Sequence, residues 1–389
     1  MRFIVVLLCS ILSCVVHAAP NSLTFDGILI PPPPTIHAKS YVLMDAITGS
    51  IIAEKNAQKP LPPASLTKLM TLYLTADAIK DGKINIDDKV FISTKAWKAP
   101  GSRMFLKPNT KVDMKKIIKG VAIVSGNDAS IALAEHIAGS EEAFASLMNH
   151  TAKKLGMKQS HFKDATGLPK PNHTTTAKDL AILSQQFIFN HPQLYSEWFQ
   201  DKWFEYNKIK QSNRNRLLWR HGYIDGIKTG HTDEAGHCLI SSGKINNTRL
   251  IAVVMGTSSP SKRDQSSDTL LTYGFRFFET LTFHYPNTPF TTIKIWGSTQ
   301  PNIKAGSTTI ISATIPKGSA NKTQLKITKD PHLMAPIPQA TQVGNIAITL
   351  NNQTLLSHPL ITFNPAPKGS WYTYYYDKTR LKISQWLPL

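Results

Sequence analysis

The sequence predicts an α+β catalytic unit, an antiparallel sheet flanked by helices, followed by a small all-β domain. Three observations lead there. Strand-like segments lie at both ends of residues 35–284, with helical spacing between them. Pairs of asparagines stand where hairpins would turn, at Asn246-Asn247 and Asn351-Asn352. Beyond about Tyr285 the pattern changes to short alternating runs punctuated by Pro and Gly.

In chain order, residues 41–44 and 51–53 are apolar runs flanking a turn at 45–50, which reads as a β-hairpin. Helical spacing follows over 66–79, 114–124, 129–138, 141–155 and 177–189. Strands return at 237–245 and 249–255, and the asparagines between them tolerate the positive φ of a tight turn. Residues 270–281 read as a closing helix. With strands first and last, both ends of this unit are expected to share one sheet. Segments such as Ile293-Lys294-Ile295 and residues 346–350 then make a β domain over 287–366. Residues 368–389 form a tail in which Tyr372, Tyr374, Tyr375 and Tyr376 interleave with Lys378, Arg380 and Lys382. Such a tail suits an anionic membrane surface, and packing on its own β domain is the alternative.

The start of the chain has the form of a secretory signal, residues 1–19: Met1-Arg2, an apolar stretch too short to span a bilayer, then Ala18-Ala19. Lipid attachment at Cys14 is the rival reading. Residues 31–34 are four prolines, a stiff spacer. With Cys9 and Cys14 in the leader, the exported chain keeps Cys238 alone, so no intrachain disulfide is expected and Cys238 reads as a small core residue. The formal charge of +19, from 44 Lys+Arg against 25 Asp+Glu, favours anionic surfaces. For an exported protein those are phospholipid or wall polymer, not nucleic acid.

Three fragments carry the chemistry: Ser65-Leu66-Thr67-Lys68, Ser125-Gly126-Asn127 and Lys228-Thr229-Gly230. Together they offer a nucleophilic hydroxyl, lysines to manage its proton, a second serine and an amide, and a strand edge, as acyl transfer through a serine ester requires. Ser-x-x-Lys alone is weak, since Ser160-Lys163, Ser241-Lys244 and Ser319-Lys322 also fit and have ordinary readings as turns or strand ends. Ser65 differs because Pro62-Pro63 precede it and a long helical pattern follows. That sets it at a helix N-terminus, where backbone N–H groups favour developing negative charge. Lys68, three residues on, shares its face. A plain N-cap role for Ser65 and an interhelical turn for 125–127 are the competing readings. Gly230 suggests a strand that a substrate backbone can approach, and Lys228 and Thr229 offer a charge and a hydroxyl to a carboxylate. The order and spacing of all three fragments, in an exported chain, favour a common site. His161, His173, His221 and His237 lack metal-ligand spacing and read as surface or core residues, so no metal and no cofactor is expected.

The chain resembles the low-molecular-mass penicillin-binding proteins, D-alanyl-D-alanine carboxypeptidases of the serine β-lactamase/transpeptidase-like fold. The likeness extends to residues 63–71, 102–108, 225–232 and 273–279, and to Asn213-Arg214-Asn215 with Leu217-Leu218-Trp219. It implies that Ser65 attacks the penultimate D-alanine of peptidoglycan stem peptides ending in D-Ala-D-Ala, with Lys68 as general base. Lys68 would be kept neutral by like charge, with Lys228 the expected neighbour and the two amines titrating together. Ser125 would relay a proton to the leaving D-alanine and Asn127 would hold the acyl-side amide. The N–H groups of Ser65 and His231 would form the oxyanion hole, and Lys228, Thr229 and Arg263 would bind the terminal carboxylate. β-Lactams would acylate Ser65 as inhibitors. Residues 164–176 contain no Glu to activate a deacylating water, so efficient β-lactam hydrolysis is not expected. The leader and the tail together lead to the expectation of an exported protein held peripherally at the periplasmic face of the bacterial inner membrane. A D,D-endopeptidase acting on cross-links and a catalytically weak wall-binding module remain as alternatives.

Overall fold

A computed structural model describes residues 23–25 and 28–386. The signal peptide of residues 1–19, the Cys14 alternative and the last three residues of the tail lie outside the described residues. The catalytic unit is built on a five-stranded antiparallel sheet of β1 (Ser40–Asp45), β2 (Ile51–Lys55), β3 (Ile224–Thr232), β4 (Gly236–Ile245) and β5 (Thr248–Thr257), in the order β2-β1-β5-β4-β3. Both ends of the unit therefore meet in one sheet, as expected. β4 and β5 close through a two-residue turn with Asn246 at φ +53° and Ile245 opposite Thr248.

Alternation along the strands fills two separate cores. Val42, Met44, Ile251 and Val253 face a large core of helices, while Leu43, Leu250, Ala252 and Val254 face a smaller one. The first face is covered by α1 (Lys68–Lys80), α2 (Met114–Ala122), α3 (Asn127–Ala138), α4 (Glu141–Lys154) and α5 (Ala177–Asn190). α1 buries ten of its 13 residues, which fits a helix that is apolar nearly all round. The second face is covered by α6 (Pro260–Phe277).

α6 corrects the helix expected at 270–281. It starts ten residues earlier, where the Ser259 hydroxyl accepts from the Lys262 N–H and Pro260 occupies the first turn. Its first half buries Arg263, Asp264, Ser266 and Ser267, so apolar spacing under-reports it. It ends at Phe277 because the next residues form β6 (Phe278–His284), a strand of the C-terminal β domain.

That domain contains β7 (Pro289–Lys294), β8 (Asn302–Gly306), β9 (Ile311–Pro316), β10 (Thr323–Lys329), β11 (Gln342–Leu350) and β12 (Gln353–Thr362). β6 pairs with β9, and the others form a sheet in the order β7-β8-β12-β11-β10 around a core of Ile, Val, Ala and Leu. Asn351 and Asn352, at φ +49° and +65°, turn β11 into β12. Asp45 joins the two bodies: its Oδ2 accepts from the Thr280 hydroxyl at 2.6 Å and from the Thr314 hydroxyl at 2.8 Å. The tail forms α7 (Trp371–Trp386). It lies on the β domain through a Gly297 N–H to Asp377 bond of 2.8 Å, yet Trp371, Tyr372, Tyr375 and Tyr376 stay exposed. Among the described residues no helix is long and apolar enough to cross a membrane.

Candidate active site

Ser65 sits in a single 3-10 turn, Ala64–Thr67, that leads into α1, with Lys68 as the first residue of that helix. Lys68 is fully buried, and its Nζ donates to Ser65 Oγ at 2.9 Å and to the Thr166 carbonyl at 2.6 Å. Burial lowers the Lys68 ammonium to about 7; Asp164 and Asp128 oppose the shift and the Arg214 guanidinium adds to it. Loss of solvent comes first, like charge adds to it through Arg214, and the expected repulsion between the two lysines falls on Lys228.

Ser125-Gly126-Asn127 links α2 to α3. Ser125 adopts φ +62°, and its Oγ is buried without a hydrogen-bond partner. The Asn127 side chain donates to the Pro100 carbonyl at 2.6 Å, and its Oδ1 is also unpartnered. Buried acceptors left open beside a cleft are where a ligand's own donors fit. Asp128 fixes the facing loop by accepting from the N–H groups of Met104 (3.0 Å) and Leu106 (3.1 Å).

Lys228, Thr229, Gly230 and His231 lie on β3, the sheet's edge strand, which leaves a row of backbone groups unpaired by the sheet. Lys228 is buried and donates to the Thr229 carbonyl at 3.1 Å. Burial holds its ammonium well below the usual lysine value, and Lys68, Arg214 and Arg263 push the same way. Gly230 has a packing reason that the sequence did not show: a Cβ there would stand 3.1 Å from the Pro63 carbonyl and 3.2 Å from the Leu66 nitrogen. It lets the Ser65 turn pack against the strand.

Ser65, Ser125, Thr229, Gly230, His231 and Arg263 line one cleft of about 450 Å³. Lys68, Lys228 and Asn127 are buried behind its wall. Arg263 enters from α6 with its guanidinium held by Asp264 Oδ1 at 2.6 and 2.8 Å and by the Arg214 carbonyl at 3.2 Å. Among the described residues no group of three or more His, Cys, Asp and Glu side chains converges as a metal cage would. Cys238 is buried on β4, with its thiol raised to about 11 by burial.

Three contributors were missed in the sequence. Arg214 lines the cleft, and burial together with Arg263 lowers its guanidinium; its signal was the Asn-Arg-Asn triplet, which had no assigned role. His237, read as surface or core, also lines the cleft, stacked on His231 at 4.0 Å across the β3–β4 register. The third is the turn Asp164–Gly167. Asp164 Oδ1 accepts from the N–H groups of Thr166 (2.8 Å) and Gly167 (2.7 Å) and from the Thr166 hydroxyl (2.9 Å), and Lys170 lies 3.2 Å from Oδ2. Burial alone would raise this carboxyl; contact with His173 and these amides hold it well below the usual range.

Known proteins share this sequence pattern and this fold. The sequence profile of the D-alanyl-D-alanine carboxypeptidases matches residues 29–259, and that of the penicillin-binding protein 5 C-terminal domain matches residues 278–368. The D-alanyl-D-alanine carboxypeptidase DacC of Escherichia coli is 40% identical over 361 residues, 91% of this chain and 90% of that one. Penicillin-binding protein 5 of Haemophilus influenzae superposes with a TM-score of 0.83 at 37% identity, covering 86% of this chain and 99% of that one. Penicillin-binding protein D2 of Listeria monocytogenes, solved in its cefotaxime-bound form, gives a TM-score of 0.58 at 29% identity, over 63% of this chain and 100% of that one. The chain belongs to the D-alanyl-D-alanine carboxypeptidase family.

Proposed function

We propose that this protein is a serine-type D-Ala-D-Ala carboxypeptidase that removes the terminal D-alanine of peptidoglycan stem pentapeptides through an acyl-enzyme on Ser65. The observation that carries the reading is the buried Lys68 amine, 2.9 Å from Ser65 Oγ and lowered to about 7. A neutral amine at that distance takes the hydroxyl proton as Oγ attacks the penultimate carbonyl. The Ser65–carbonyl ester bond forms and the C–N bond to D-alanine breaks. Ser125 passes the proton to the departing amine. The N–H groups of Ser65 and His231 stabilise the oxyanion, Asn127 holds the acyl-side amide, and Lys228, Thr229, Gly230 and Arg263 receive the carboxylate end. Water then releases the shortened peptide. A β-lactam acylates the same hydroxyl.

Mass spectrometry of the penicillin adduct, alongside D-alanine release from pentapeptide, tests this. A single adduct on the Ser65 peptide, lost together with D-alanine release in Ser65→Ala, is expected. Unchanged release by Ser65→Ala overturns the assignment.

Location belongs to the same proposal: export by the leader, then peripheral attachment to the periplasmic face through α7. The exposed rings of Trp371, Tyr372, Tyr375 and Tyr376 beside Lys378 and Arg380 support it, as such faces lodge among anionic headgroups. Protein lacking residues 371–389 should lose sedimentation with anionic vesicles, and undiminished sedimentation refutes the anchor.

A further inference from the structure

Behind the Ser65 turn, outside the lining of the cleft, two buried polar side chains take no part in the steps above. Thr67 is the last residue of that turn, and its hydroxyl lies 3.0 Å from His173 Nε2. Across the ring, His173 Nδ1 faces Asp164 Oδ2 at 3.8 Å, and both side chains are 2% exposed. Neither of those two atoms has a hydrogen-bond partner, although Lys170 Nζ comes within 3.2 Å of the same oxygen. At 3.8 Å the contact is electrostatic, longer than a closed hydrogen bond.

The direction of each link follows from its chemistry. His173 and the surrounding amides hold the Asp164 carboxyl ionised, so Oδ2 can only accept. The ring proton that faces it therefore sits on Nδ1. A neutral imidazole then presents a lone pair at Nε2, and the Thr67 hydroxyl donates to it.

Packing alone does not call for these groups. Phe162 meets the His173 ring edge to face at 5.8 Å, and a phenyl ring would fill the same place. Burying an imidazole costs free energy unless its nitrogens are served. Thr67 is diverted as well: it precedes α1 at the N-cap position, yet its hydroxyl makes no cap bond to the helix. The start of α1 is thereby pinned to one loop by Lys68 to the Thr166 carbonyl at 2.6 Å, Thr71 to the Ala165 carbonyl at 2.8 Å, and Thr67 to His173.

We propose that His173 is a positioning residue for acylation: with Asp164 it holds Thr67, and through Thr67 the turn that carries Ser65, in line with the Lys68 amine. One carboxylate then sets both reacting groups. Its Oδ1 acts on the base by way of Thr166, and its Oδ2 acts on the nucleophile by way of His173. This rests on the Ser65 reading. Proton transfer needs Ser65 and Lys68 within hydrogen-bond reach, so a loosened turn slows acylation more than it weakens binding of the intact ligand.

The test follows penicillin acylation against concentration, which separates the rate constant at saturation from the half-saturating concentration. His173→Phe and Thr67→Val should each lower that rate constant about tenfold, with half-saturation kept within about twofold. The double variant should be no slower than the slower single one, because both break the same link. His173→Gln, whose amide reaches as far as Nε2, should recover to within about threefold of the parent, whereas His173→Asn, which reaches only as far as Nδ1, should not. A space-filling role predicts the reverse, with His173→Phe nearest the parent. An unchanged rate in Thr67→Val overturns the relay, as do equal losses in the Gln and Asn variants, and Thr67→Val decides the matter where a His173 variant fails to fold. Absence of a penicillin adduct in the parent overturns the Ser65 reading and the relay with it.

Discussion

Lys68 donates to the Thr166 carbonyl at 2.6 Å, across 98 positions of chain, while the same nitrogen reaches Ser65 Oγ at 2.9 Å. A neutral amine has two N–H bonds and one lone pair. Spending an N–H on Thr166 helps to turn the lone pair toward the serine proton. The sequence motif therefore supplies the amine, and a distant turn aims it.

The first prediction concerns pH. Lys68 is lowered to about 7, chiefly by burial, so its neutral fraction grows as pH rises through that value. Penicillin acylation of Ser65 should rise about tenfold per pH unit below 7 and level off above it. Stopped-flow or quenched acylation rates measure this, and a rate independent of pH between 5 and 8 refutes Lys68 as the base.

Asp164 acts on that profile from a distance. Its negative charge favours the Lys68 ammonium, so Asp164→Asn should move the acid limb of the acylation profile to lower pH. An Asn can keep the acceptor that serves the Thr166 and Gly167 amides. The shift is read from the midpoint of the limb; movement to higher pH contradicts the stated sign.

Gly167 has φ +82°, and a Cβ there would fall 1.8 Å from the Ala64 carbonyl oxygen. Gly167→Ala should cost about 3 kcal/mol or more and slow acylation with it, because the backbone beside Ser65 must move. Calorimetry and acylation rates check this together. A variant as stable and as reactive as the parent shows that the turn does not seat the nucleophile.

At the junction of the two bodies, Asp45→Ala leaves the hydroxyls of Thr280 and Thr314 without their acceptor, at a cost of about 1–3 kcal/mol. Thermal unfolding should separate into two transitions while penicillin acylation stays within about twofold of the parent. A single unshifted transition would show that Asp45 does not couple the two parts.

Much of this site was legible because its parts are local. A three-residue spacing places Lys68 under Ser65, and an apolar run followed by Ser-Gly-Asn gives a turn between two helices whatever surrounds it. The sheet, too, could be read from strands at both ends of the catalytic unit. What escaped depends on approach between distant segments. Arg214 matters because its turn is pinned to β3 by Asn215, and His237 because cross-strand register sets it on His231. The packing need for Gly230 lies in the closeness of Pro63 and Leu66, which no local pattern shows. The start of α6 was visible in Ser259-Pro260, but its buried polar residues disguised the inward face.

The Asp164–Gly167 turn carries the Lys68 amine at one remove. Asp164 Oδ1 takes the Thr166 and Gly167 amides and the Thr166 hydroxyl, while its buried Oδ2 has no hydrogen-bond partner and lies 3.2 Å from Lys170. Any change to this turn therefore reaches the base beside Ser65 as well as the local backbone, because the Thr166 carbonyl is where Lys68 is held.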